Sequence, residues 1–174
     1  RLTKTVPKLK KELSKIIVLK ERADAADVEA FADTYSFVGD AKAFRLSRTA
    51  KNQKDFKVQA MDGWKRDKPY AMVVCPIYQL PNTSSQIYQQ ATSRNVWVFT
   101  YSHLALLLNY SEVEGKIKAQ QLLQKIFETI PALNPSKSAL DYWLAINRTI
   151  LSFSPKIEPL WNIEKVVSVE SIDD

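Results

Sequence analysis

One cysteine and one histidine occur among 174 residues, and these two scarcities narrow the chemistry at once. A single thiol allows no internal disulfide and no paired-cysteine metal site. A single imidazole removes the common zinc centres, which draw on several histidine or cysteine ligands. No uninterrupted apolar run reaches the roughly 20 residues of a membrane-spanning helix. No secretory leader is visible, and a chain that opens at Arg1 is expected to be trimmed or a fragment. Internal repeats and useful lengths of coiled coil are also missing. What remains is 45% apolar and 25% charged, a composition that supports one ordinary folded domain with a real core.

The charge is distributed unevenly. The formal net charge is +6. Residues 1–20 hold seven basic groups and one acidic group, residues 42–68 hold nine and three, and the rest of the chain is acidic on balance. Concentrated positive charge favours a polyanionic partner and speeds encounter with it; plain solubility is the competing explanation.

Apolar periodicity predicts a helix over residues 7–20, basic on its outer face. Residues 23–33 suit either more helix or a short strand with Val28, Ala30 and Ala32 on one face. Residues 35–46 favour a strand, so the two together suggest a hairpin. Phe56, Ala60 and Trp64 mark a helix within residues 51–64. Strands are expected at 70–77 and 96–101, a helix at 85–91, and a further helix at 103–108 capped by Ser102. Long helices are expected at 112–130 and 138–153, and the last twenty residues form a strand at 166–169 or fray. The order predicts an α/β fold: a core with a mixed central sheet flanked by helices over residues 1–110, plus a mainly helical C-terminal extension, 111–174, packed on the same domain.

Asp40-Ala41-Lys42 is the chemically suggestive element. Residues two apart in a strand share a face, so a carboxylate and an ammonium stand side by side. Surface salt bridging is the plain explanation. Asp27, however, lies thirteen residues upstream, and a hairpin of that size brings it beside Asp40. Two adjacent carboxylates repel unless a cation lies between them. An oxygen-only site without histidine or thiolate suits Mg²⁺, which can polarise a phosphoryl oxygen. Lys42 can then stabilise negative charge at phosphorus or help deprotonate a water. Lys42, Arg45, Arg48, Lys51, Lys54 and Lys57 follow at three-residue intervals, with Ser47, Thr49, Asn52 and Gln53 as short polar donors of the kind that contact phosphates and base edges. Glu21 and Asp24 are candidate auxiliary acids. His103 is expected to be structural or to contact phosphate, Cys75 to be a small buried hydrophobe, and Trp64, Trp97 and Trp143 to anchor packing.

Asp27 with Asp40-Ala41-Lys42 resembles the PD-(D/E)xK nuclease signature, with Ala26 in the place of its proline. The segment DAKAFRLSRTAKNQKDFKVQAM, from Asp40 to Met61, resembles the HindIII group of type II restriction endonucleases. The likeness continues through Trp64, Asp67-Lys68, Tyr70-Ala71, Ser85-Gln86-Ile87 and His103-Leu104-Ala105. That resemblance implies a restriction-endonuclease-like core and a bacterial, cytoplasmic, Mg²⁺-dependent homodimer that cuts double-stranded DNA at a short palindrome, leaving 5′-phosphate ends. It implies metal ligation by Asp27 and Asp40, a catalytic Lys42, and DNA contacts from Arg45, Arg48, Lys51, Asn52, Lys54 and Lys57. A cognate DNA methyltransferase is expected in the same cell, though not as a bound partner. Three alternatives stay open: a non-catalytic or truncated DNA-binding fragment, a repair or junction nuclease of the same superfamily, and a protein-interaction domain with an incidental basic surface.

Overall fold

The computed structural model describes residues 5–21, 26–42, 58–76, 80–81, 86–129, 131–133 and 139–164. Helix α1 (Thr5–Leu13) leads into strands β1 (Val18–Glu21), β2 (Val28–Phe31) and β3 (Ser36–Ala41). Helix α2 (Val58–Trp64), strand β4 (Tyr70–Cys75), helix α3 (Ile87–Arg94) and strand β5 (Val96–Thr100) come next. Helices α4 (Tyr101–Glu114), α5 (Lys116–Thr129) and α6 (Ala139–Phe153) complete the named elements, and residues 157–164 are helical. Among the described residues no helix is long and apolar enough to cross a membrane.

The five strands form one sheet in the order β1-β2-β3-β4-β5. The β1–β2 and β2–β3 pairs are antiparallel, whereas β3–β4 and β4–β5 are parallel. This mixed sheet, flanked by helices and extended by helices at its C-terminal side, is the α/β architecture expected from the sequence. Strands β3, β4 and β5 end at the same edge, because Ala41 is level with Val74 and Cys75 with Thr100. Their carboxyl ends therefore lie together, where ligands of parallel sheets commonly bind.

Aromatic packing fixes one face of the sheet. Phe37, Tyr70 and Trp97 project from β3, β4 and β5 onto Phe127 of α5, at centroid distances of 5.0, 4.7 and 5.7 Å. Burying one such ring stabilises the fold by about 1.5–3 kcal/mol. Gln120 of the same helix secures the hairpin end. Its side-chain amide donates to Ile16 O at 2.6 Å, and its backbone carbonyl accepts from the Tyr35 hydroxyl at 2.7 Å. At the opposite edge of the sheet, the buried Tyr142 hydroxyl donates to Val98 O at 2.9 Å and accepts from Val98 N at 3.0 Å. It thereby supplies the partners that the outer side of β5 would otherwise lack.

Several local expectations require correction. The first helix stops at Leu13 and the chain re-enters the sheet as β1, a strand absent from the sequence reading. Apolar Ile16, Ile17 and Leu19 continued a helical period there, but Ile16 and Ile17 are buried in the turn and the carbonyl of Ile16 is taken by Gln120. Residues 112–130 do not form one helix. Gly115 adopts φ 94°, a left-handed value that favours glycine, and separates α4 from α5. The cap of α4 is Thr100 rather than Ser102, its hydroxyl accepting from His103 N. Helix α3 starts at Ile87 and runs on to Arg94. Within the ambiguous stretch at 23–33, Val28–Phe31 form β2, with Val28 and Ala30 buried. The possible strand at 166–169 lies outside the described residues.

Candidate active site

The register of the hairpin decides which side chains meet. Val28 is opposite Gly39 in an antiparallel ladder, so the next pair outward is Asp27 and Asp40. Directly opposed residues share a face. The two strands approach closely at this point: a Cβ on Gly39 would lie 3.1 Å from Cγ2 of Val28. The two carboxyl groups are within hydrogen-bonding reach of one another. Asp27 Oδ2 also accepts from Ala41 N at 2.8 Å, which fastens it to β3. Lys42 N in turn donates to Val74 O at 2.8 Å, continuing the ladder to β4.

Asp40 is only 4% exposed, on a strand whose neighbours are apolar. An isolated buried carboxylate is costly, so it must be paired. Lys42 Nζ forms that ion pair, and its side chain is itself nearly buried. Burial raises the carboxyl of Asp27 to about 6, with the hydrogen bond and charge of Asp40 acting in the same direction. The Ala41 N–H and the Lys42 charge oppose that rise. The result is a tight oxygen-rich cluster in which one ammonium faces two acids. Mg²⁺ is bound by one or two protein carboxylates together with substrate phosphate and water, and Asp27 with Asp40 fits that donor set. Among the described residues no group of three or more histidine, cysteine, aspartate or glutamate side chains comes together.

Tyr101 opens α4 immediately beyond β5. Burial pushes its hydroxyl up to about 12, with Cys75 and then Asp27 adding to the effect. Lys8 of α1 lies over its ring, 4.7 Å from the centroid. Sequence reasoning did not single out either residue. The basic block at residues 1–20 was the one available signal.

His103 is 5% exposed and its ring is surrounded by Phe99, Trp143 and Trp161 at 4.9, 5.4 and 5.1 Å. Its Nδ1 meets Thr100 Oγ1 at 2.7 Å, and its Nε2 has no hydrogen-bond partner among the described residues. This is a core position, which rules out the phosphate-contacting option. Cys75 is fully buried, as expected for a small hydrophobe, and burial pushes its thiol up to about 12. Trp97 is wholly buried, while Trp64 and Trp143 pack partly buried against the core. The expected DNA contacts Arg45, Arg48, Lys51, Asn52, Lys54 and Lys57 lie outside the described residues, as does Asp24.

Residues 10–174 match the family described as HindIII restriction endonuclease. Over 101 residues the chain is 50% identical to the type II restriction enzyme HindIII of Haemophilus influenzae, covering 57% of this chain and 34% of that protein. The chain thus spans about a third of the length of the curated relative it matches.

Proposed function

The chain belongs to the HindIII restriction endonuclease family, and from that premise we propose that it carries the catalytic centre of a type II site-specific deoxyribonuclease. The reaction is Mg²⁺-dependent hydrolysis of phosphodiester bonds in double-stranded DNA at a short palindrome, giving 5′-phosphate ends. One observation carries this reading: Asp27, Asp40 and Lys42, from two strands, converge at the carboxyl edge of the parallel strands.

Asp27 and Asp40 would hold the metal. When bound, Mg²⁺ supplies Lewis-acid polarisation of a phosphoryl oxygen and shields its charge. The chain's own groups do the rest. Asp27 is held against β3 by the Ala41 N–H. Lys42 gives up its contact with Asp40 and turns its ammonium to the scissile phosphate, where it stabilises the charge that accumulates at phosphorus. The same group is near enough to the carboxylates to pass a proton. Arg45, Arg48, Lys51, Asn52, Lys54 and Lys57 follow Lys42 directly in sequence, and in this reading they contact the DNA backbone and base edges. A homodimer matches the symmetry of a palindrome. The reading includes the division of the chain into a core over 1–110 and a helical extension over 111–174 on the same domain. It also includes a bacterial cytoplasmic setting with a cognate methyltransferase in the same cell.

Incubation of the purified protein with phage DNA and Mg²⁺, followed by mapping of fragment ends, tests the proposal. Discrete fragments with 5′-phosphates are expected, and chelation with EDTA should prevent them. Salt-sensitive DNA binding without scission would favour the non-catalytic fragment. Discrete cuts without a common palindrome would point to a repair or junction nuclease.

A further inference from the structure

The first twenty residues hold seven basic groups and one acidic group, and the catalytic reading uses none of them. Helix α1 and the turn after it arrange part of this charge. Lys8, Lys11 and Lys15 are exposed at spacings of three and four, which puts them on one helical face. Leu9, Leu13 and Ile16 are buried on the other side. The helical turn persists as far as Lys15, since Ser14 N donates to Lys10 O and Lys15 N to Glu12 O.

The direction of this stripe is fixed by the sheet. Helix α1 enters β1 at Val18, which pairs with Phe31, whereas Glu21 at the other end of β1 pairs with Val28 beside Asp27. The chain reverses between α1 and β1, so the beginning of α1 is at the Asp27 end. Lys8 agrees with that direction, because it lies 4.7 Å over the ring of Tyr101. Tyr101 directly follows Thr100, which is level with Cys75 of β4, one residue beyond the carbonyl that holds Lys42 N. Lys8 therefore marks the site end of the stripe. Lys11 and Lys15 recede from it by about 4.5 and 10 Å at the usual helical rise.

Helix design does not explain a cation here. Positive charge is disfavoured in a first turn, where the helix dipole is also positive, yet α1 has no acidic residue in its first turn and Lys8 lies there. An anion approaching that end would meet the dipole and the ammonium together.

We propose that Lys8, Lys11 and Lys15 form a second phosphate-contacting surface, a rail for the backbone of duplex DNA passing the acidic centre, with Tyr101 positioning Lys8 at its site end. The inference rests on the endonuclease reading and adds a DNA contact separate from residues 45–57.

Fluorescence anisotropy with a labelled duplex, in Ca²⁺ rather than Mg²⁺ to prevent cutting, tests it over a series of salt concentrations. The variant Lys8→Gln/Lys11→Gln/Lys15→Gln should flatten the dependence of log K on log salt by about 0.9 for each lost phosphate contact, hence by roughly 2–3 in all. A charge-matched control, Lys116→Gln/Lys118→Gln/Lys125→Gln on α5, should leave that slope near the wild-type value. Tyr101→Leu should lose about one contact of slope, and Tyr101→Phe, which keeps the ring, should restore it. An unchanged slope in the α1 variant, or equal losses in both triple variants, would overturn the rail while leaving the nuclease reading intact. No binding by the wild-type protein would overturn the nuclease reading and the rail with it.

Discussion

Asp27 accepts a hydrogen bond from the backbone N–H of Ala41 at 2.8 Å, and this contact ties the first acid of the cluster to the strand that bears the second. The geometry of the pair is thus set by the β2–β3 hairpin rather than by a long loop. Sites held on strands keep their spacing more faithfully than sites on loops.

Gly39 guards that spacing. Gly39→Val forces side-chain atoms into Cγ2 of Val28, already 3.1 Å from an added Cβ. The expected cost is about 1–3 kcal/mol of stability, typical of overpacking. Urea denaturation measures it, and Val28→Ala in the same chain should recover much of the loss. Additive destabilisation in the double variant would contradict the contact.

Tyr142→Phe strands both the N–H and the carbonyl of Val98, which now meet the tyrosine hydroxyl. Leaving buried backbone groups unpaired costs about 1–3 kcal/mol. Amide exchange should report faster opening at Val98 than at Val73 in the neighbouring strand. Unchanged exchange at Val98 would mean that water replaces the hydroxyl at little cost.

His103 predicts a specific acid sensitivity. Burial lowers its folded value to about 3 from the ordinary 6.5. Below 6.5 the unfolded chain takes up a proton that the folded chain refuses, so this residue's contribution declines as pH falls from about 6.5 toward 3 and levels out below that. His103→Phe should flatten this part of the stability–pH curve while keeping the contacts with Phe99, Trp143 and Trp161. Equal slopes in the two proteins would remove His103 as the cause.

Much of this was legible in the sequence for simple reasons. Aromatic and β-branched residues across 35–46 announced a strand, a short hairpin brought Asp27 back to Asp40, and the apolar run at 70–77 read directly as a buried strand. Strand β1 was hidden because Ile16, Ile17 and Leu19 satisfy a helical period as well as an extended one, and pairing with β2 together with the distant Gln120 ends that ambiguity. The break at Gly115 was lost inside a longer apolar period. The aromatic enclosure of His103 depends on Trp143 and Trp161, both far downstream, so no local pattern encodes it. Tyr101 and Lys8 meet although they are far apart in the sequence, which is why neither stood out.

Lys42→Ala removes the ammonium that now neutralises Asp40. Cleavage should fall by about 10²–10³, the usual effect of losing one charge-stabilising donor. Affinity for uncleaved duplex should change little, because a single cation contributes modestly to backbone binding. Single-turnover cleavage beside equilibrium binding separates the two effects. A parallel loss of both would make Lys42 a binding residue rather than a catalytic one.

Asp40→Asn is the most direct test of the proposed chemistry, since it preserves the shape of a nearly buried side chain and removes its charge. Supercoiled plasmid carrying the mapped site, incubated with Mg²⁺, should remain uncut by this variant while the wild-type protein linearises it, with duplex binding retained by both. Cleavage by Asp40→Asn at the wild-type rate would contradict a phosphodiester-hydrolysing centre built on Asp27, Asp40 and Lys42.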